Sequence, residues 1–299
     1  MSDIGRPAPG GLDTLQFDTF ATGVPSRAPR WRAIARSPVA LVGLALIFSW
    51  VIVAACAPLL APYSPTAQHV TAIDMMPSMH HWLGADSLKR DLLSRIIWGA
   101  RPVLTLAPLA LIAAYLVGIS LGLTAGYYGG WIDDVISRTG DVLLSFPKIV
   151  MYVVLISTVG PSQANIVAAV VLVAAPGIAR LTRGLTLDLK TNDYIAAAQT
   201  RGESAIFIMA AEILPNARGM LIVDACMRMG YTIIAIGVLG FLGLGLPPPD
   251  PDWGGMVREG TPMLIVFPHM ALLPCLAIVT LVLGFNLLAD GLQDLQSRA

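Results

Sequence analysis

Residues 37–62, 102–132, 149–179 and 263–288 contain no Asp, Glu, Lys or Arg. Each run is long enough, as a helix, to cross a hydrocarbon layer ~30 Å thick. Inside such a layer the backbone must pair its own polar groups, which leaves helices or a closed barrel, and runs of this length are helical in type. Composition agrees, at 56% apolar and 13% charged, where a soluble domain would carry about a quarter charged residues. A large apolar soluble enzyme is therefore excluded. The net charge is zero, so no nucleic-acid partner is implied. Cys56, Cys226 and Cys275 all sit in apolar runs without metal-type spacing, as packing residues do. The fold class is all-α, a polytopic membrane protein.

Along the chain, residues 1–36 are rich in Pro, Gly and Arg and lack a core-forming pattern, so a flexible N-terminus is expected there. No signal-peptide layout is present, and 37–62 reads as an uncleaved anchor helix. Residues 63–101 are polar at first. From Trp82 onward Leu83, Leu88, Leu92, Ile96 and Ile97 recur at helical spacing with a mixed charge set, which predicts an amphipathic helix lying along the membrane surface. A contact with an outside partner is the sharper reading of the same segment. The second span lies in 102–132 and ends at a Gly-rich turn. Hydropathy over 149–179 leaves one long span or two shorter ones meeting at Gly160–Gln163, the second option drawing Asp141 and Lys148 toward the membrane.

Loop charge decides the count. With six spans, Arg6, Arg27, Arg30, Arg32, Arg36, Arg138, Lys148, Arg180, Arg183, Lys190, Arg201, Arg218 and Arg298 fall inside, and only Lys89, Arg90, Arg95, Arg101 and Arg258 fall outside. That asymmetry places both termini in the cytoplasm. A fifth span covers 217–246 and carries Asp224 and Arg228 at i,i+4, an intramembrane ion pair that is structural or else lines a substrate path. An outside loop over 246–262 is stiffened by its prolines, with Trp253 suited to the interface. The last span, 263–288, contains Pro268, Pro274 and Gly284, which predict a kink.

Residues 191–216 are the longest polar-tolerant segment lodged between membrane-length runs. Asn192 caps a short helix in which Tyr194, Ala197 and Ala198 share a face, and Gly202 allows a turn. Ser204 caps a second helix through Ile206–Met209 that is expected to stop at Pro215. Three small side chains in a row, Ala196–Ala198, would let another protein approach the backbone. A paired-helix plan of this kind predicts a docking element.

This segment resembles the cytoplasmic EAA loop of ABC-importer permeases, E-A-A-x3-G-x9-I-x-L-P: Ala197, Ala198, Gly202, Leu214 and Pro215 match, while Ala196 and Glu212 replace the Glu and Ile. Three further blocks, LGADSLKRDLLSRIIWGAR (83–101), GFLGLGLPPPDPDWGGM (240–256) and FNLLADGLQD (285–294), are similar to the dipeptide/oligopeptide/nickel branch in its second-permease (DppC/OppC-like) form. That branch would show Gly at Lys89, Gly at Ala289 and a basic residue at Gln293. The resemblance implies a five-helix type I permease core over 102–290, a short cytoplasmic tail over 291–299, and ATPase coupling through Asp193, Tyr194, Ala197, Ala198, Gly202, Leu214 and Pro215. It implies a bacterial inner membrane location, a second permease subunit as heterodimer partner, two ATPase subunits and an external substrate-binding protein. Di- or oligopeptides are the implied cargo, with nickel chelates, glutathione-like peptides or other small solutes as alternatives.

No G-x-x-x-x-G-K-[ST] occurs, so no phosphate-cradling loop is present and ATP with its Mg would reside on partner subunits. No cofactor or metal is expected in this chain: His80–His81, with His69 nearby, is poor ligand geometry. A self-contained secondary transporter would show inverted repeats and several midplane ionisable groups, whereas Asp224/Arg228 is a single pair. An intramembrane hydrolase would have to use Asp141 with Asp224. His269, after Pro268, reads as a packed, hydrogen-bonded histidine.

Overall fold

A computed structural model describes residues 37–68, 75–247 and 249–297; the segment 1–36, His69, Pro248 and Arg298 lie outside the described residues. Among these the regular elements are helices, and the β contact present is an isolated bridge between Ala85 and Asp91. The spans are α1 (Pro38–Ala55), α2 (Leu92–Tyr128), α5 (Gln163–Lys190), α7 (Ala205–Phe241) and α9 (His269–Ser297). Between α2 and α5 lie α3 (Gly130–Ser145) and α4 (Lys148–Val159), bent 90° to one another. Counted as one broken span they make a sixth. The bend sits at Phe146–Pro147, where proline both lacks a donor and pushes the preceding residue out of helical geometry. The span therefore starts well before Ile149 and is not one straight helix.

Small residues let the spans approach closely. A Cβ on Gly118, Gly122 or Gly126 of α2 would lie 2.5–2.7 Å from atoms of α5 at Ile178, Ala179, Thr182 and Thr186. This glycine stripe brings the two backbones together, as small-xxx-small patterns do in lipid. The same device seats α1 on α9. A Cβ on Gly43 would come 2.6 Å from the Gly284 carbonyl, and one on Gly291 2.5 Å from Ala40. Gly284 thus serves as a contact surface. Farther along, the Trp50 indole donates to Thr280 Oγ1 at 3.0 Å and packs edge-on against Trp253, with ring centroids 4.8 Å apart.

The expected surface-lying helix from Trp82 onward is not what forms. Residues 82–91 make turns, and the helix starts at Leu92 and continues without interruption into the second span. Charge pairing explains the difference. Asp86, Arg90 and Arg95 are buried, and the two arginines also meet Glu259 of α8 (Trp253–Gly260), a helix inside the segment expected to be a loop. Glu259 Oε2 accepts from Arg90 Nη2 at 2.7 Å and Arg95 Nη1 at 2.6 Å, while Asp86 takes Arg90 Nε at 2.7 Å and Arg95 Nη1. Charges that read as a solvated face are spent on one another. Asp91 caps α2 through Ser94 N (2.7 Å) and holds His81 Nδ1 at 2.9 Å. His81 is thus occupied by a carboxylate, and no metal-type cluster exists among the described residues. Trp253, expected at the interface, is fully buried, and its indole donates to the Ile96 carbonyl at 2.9 Å. His269 Nε2 lies 3.1 Å from the Met75 carbonyl.

Candidate functional site

Two places in the bundle carry candidate function. The first is the segment between α5 and α7. Asn192 stands in extended conformation before α6 (Asp193–Thr200), but its side chain donates back to the Leu189 carbonyl at 2.9 Å and does not cap α6. Gly202 has φ +78°, a left-handed turn that glycine adopts without strain, and Ser204 Oγ accepts from Phe207 N at 3.2 Å to start α7. The turn folds α6 back against the start of α7, forming a helical handle at the end of the bundle.

The handle has an inner and an outer face. Ile195, Ala198, Ile208 and Ile213 are fully buried and pack with Leu189, Ala217, Leu221 and Leu123. Asp193, Tyr194, Ala196, Ala197, Gly202, Ile206 and Phe207 are exposed. Ala198, expected to share an outward face with Tyr194 and Ala197, points into the protein's own core. The reason is helical phase, since Ala198 follows Ile195 by three residues and Ile195 is the anchor. Leu214 is half-buried against the same core and Pro215 is exposed. Partial burial and the Glu212 carboxylate raise the Tyr194 phenol above its usual pKa.

Pro215 does not stop the second helix. Residues Ile208–Ile213 adopt a π-helix, Leu214 N bonds to the Met209 carbonyl five residues back, and α7 continues to Phe241. Proline near a widened turn escapes the clash with the carbonyl four residues earlier. The second arm of the handle and the span are one rod. Glu212, which stands where the resemblance would place Ile, lies 3.9 Å from Arg201 and ties the π segment to the turn.

The second place is midway along α7. Arg228 Nε donates to Asp224 Oδ2 at 2.6 Å, and the Tyr115 hydroxyl of α2 donates to the same oxygen. The i,i+4 pair forms as its spacing requires; the tyrosine reaching across from α2 has no local signal in the sequence. Gly177 of α5 faces the guanidinium, and a Cβ there would stand 3.1 Å from Nη1. Asp141, the other carboxylate considered for hydrolysis, pairs with Arg180 on α5, and Asp133 with Arg183. Asp224 and Asp141 are therefore taken by different arginines. The two α5 arginines border an open cavity of about 540 Å³ lined by α2, α3 and α5.

Spans that cross repeatedly, a helical handle joined rigidly to one of them and a charge cluster halfway along that span define a multi-pass membrane permease component. Residues 118–299 match the family described as "Binding-protein-dependent transport system inner membrane component", and the chain belongs to it. Residues 29–77 match the "N-terminal TM domain of oligopeptide transport permease C". The chain is 40% identical over 267 residues to the glutathione transport system permease protein GsiD of Pectobacterium atrosepticum, covering 88% of each chain. It is 37% identical over 264 residues to the dipeptide transport system permease protein DppC of Alkalihalophilus pseudofirmus, covering 88% of this chain and 87% of that one. The family is a transport component of the inner membrane and not itself an enzyme; ATP hydrolysis belongs to separate subunits.

Proposed function

We propose that this chain is one half of the translocation path of an ATP-driven importer of di- or oligopeptides, glutathione-like peptides included. Its partners are a second permease subunit, two ATPase subunits that carry ATP and Mg, and an external substrate-binding protein. Both chain termini and the handle lie in the cytoplasm. The observation that carries this reading is the two-faced handle: an apolar inner face fixes it to the bundle, while Asp193, Tyr194, Ala197, Ile206 and Phe207 remain uncovered. Exposed Ile206 and Phe207 beside small alanines suit a protein groove better than water. When the ATPases close on nucleotide, they push the handle. Because α7 is continuous from Ala205 to Phe241, the push arrives at the Asp224–Arg228 level as motion of a whole helix.

Gly202→Asp tests the coupling. An L-residue at φ +78° strains the turn that sets the angle between α6 and α7, and among the described residues nothing lies within 4 Å to be disturbed. The variant is expected to insert at wild-type level, measured by membrane fractionation, and to lose ATP-driven peptide uptake in reconstituted vesicles. Uptake that persists when the ATPase subunits are omitted would show a secondary transporter instead.

A further inference from the structure

One face of α7 sets polar groups among apolar ones. Met220, Asp224, Met227, Arg228 and Tyr231 follow one another at helical spacing, Met220 and Tyr231 exposed and the other three partly buried. A carboxylate, a guanidinium and a phenol on one stripe of a span mark a surface that meets water or protein. Arg228 lies halfway along its helix and faces Gly177, itself halfway along α5. Arg228 is thus a partly exposed charge halfway along a span.

A guanidinium has five N–H donors in a planar fork. Asp224 takes the Nε edge of Arg228, with the Tyr115 hydroxyl bracing the same carboxylate oxygen. Among the described residues no second carboxylate meets Nη1 or Nη2. The Nη edge is the one that grips a carboxylate bidentately, and it borders the bare backbone at Gly177, where any side chain would crowd it. We propose that the Arg228 Nη edge, oriented by Asp224 and Tyr115, holds the C-terminal carboxylate of a peptide at mid-membrane during its passage. The inference rests on the peptide-cargo reading above. Lysine would supply the charge without the fork; glutamine would supply neither.

The test uses the complete importer, both permeases with ATPases and binding protein, in phosphatidylcholine vesicles. Uptake of Ala-Ala is compared with uptake of Ala-Ala amide, at concentrations that saturate the binding protein with each. Wild type is expected to prefer the free acid roughly tenfold to a hundredfold, the range of a charge-assisted bidentate contact. The double variant Asp224→Asn/Arg228→Gln, which strands no charge, is expected to bring the ratio close to one, and Arg228→Lys to restore part of the preference. A merely structural pair would lower both rates together and leave the ratio intact, which would overturn the proposal. A second arm adds phosphatidylglycerol. A variant effect seen only with that anionic lipid would assign the guanidinium to a headgroup, and would overturn it as well. Wild type that carries neither peptide would remove the cargo reading itself, and this inference with it.

Discussion

Lys89 has φ +61°, the only non-glycine residue at positive φ among those described, at a position where the resemblance read from the sequence implies Gly. The strain is confined to an exposed turn between Asp86 and Arg90, so Lys89→Gly is expected to raise stability by about 0.5–1 kcal/mol. Thermal unfolding in detergent would measure it. Asp252 is the opposite case, a buried carboxylate at the start of α8 that accepts from Gly254 N (3.3 Å) and Gly255 N (3.2 Å). Burial raises its pKa from 3.8 to about 6, against the lowering effect of those two amides. The folded-state value exceeds the unfolded one, so the contribution to stability is complete below pH 3.8 and is lost as pH rises through about 6. At pH 7 the ionised form is penalised by roughly 3 kcal/mol. Asp252→Asn keeps one accepting oxygen and no charge. Its unfolding temperature is expected to improve relative to wild type between pH 4 and pH 7; parallel profiles would contradict the shift. The Asp224–Arg228 pair was legible from its spacing, because one helix holds both partners. Tyr115 and Glu259 were not, since each arrives from an element far away in the chain.

At the scale of elements, the contact between α2 and α5 depends on bare backbone. Gly122→Leu would drive a side chain into the Ala179 carbonyl and Thr182 and is expected to destabilise by about 1–3 kcal/mol or more. Gly184→Ala on the same α5, with no atom within 4 Å, is the control and is expected to be neutral or slightly stabilising. Unfolding midpoints of the two variants compare directly. The helix start at Ser204 was readable because capping is local chemistry, whereas Asn192, read the same way, turns its side chain back to Leu189. The path of the chain through Pro215 was not, because a single π turn lets a helix pass a residue that ordinarily ends it. The stretch after Trp82 misled for a different reason. Periodicity reports which residues share a face, and not whether Glu259 is waiting to pair with that face.

For the whole molecule, charge-free runs were sufficient to fix the fold class, since the bilayer leaves so few backbone solutions. The handle was legible as an element set apart; which of its residues look outward depended on the anchoring of Ile195 and Ile208, a tertiary fact. One more consequence concerns α1 and its seat on α9. Trp50 and Thr280 are separated by 230 residues, so the ribosome finishes the first helix long before its binding surface exists. During that interval the face at Ala40 and Gly43 has no α9 to pack against. Chains halted near residue 260 are expected to turn over faster in pulse-chase labelling than full-length ones, and Gly43→Leu, which cannot dock, to give full-length chains the same short lifetime. The earliest helix would then act as a tally of completed synthesis, marking for proteolysis those copies whose last helix never arrived.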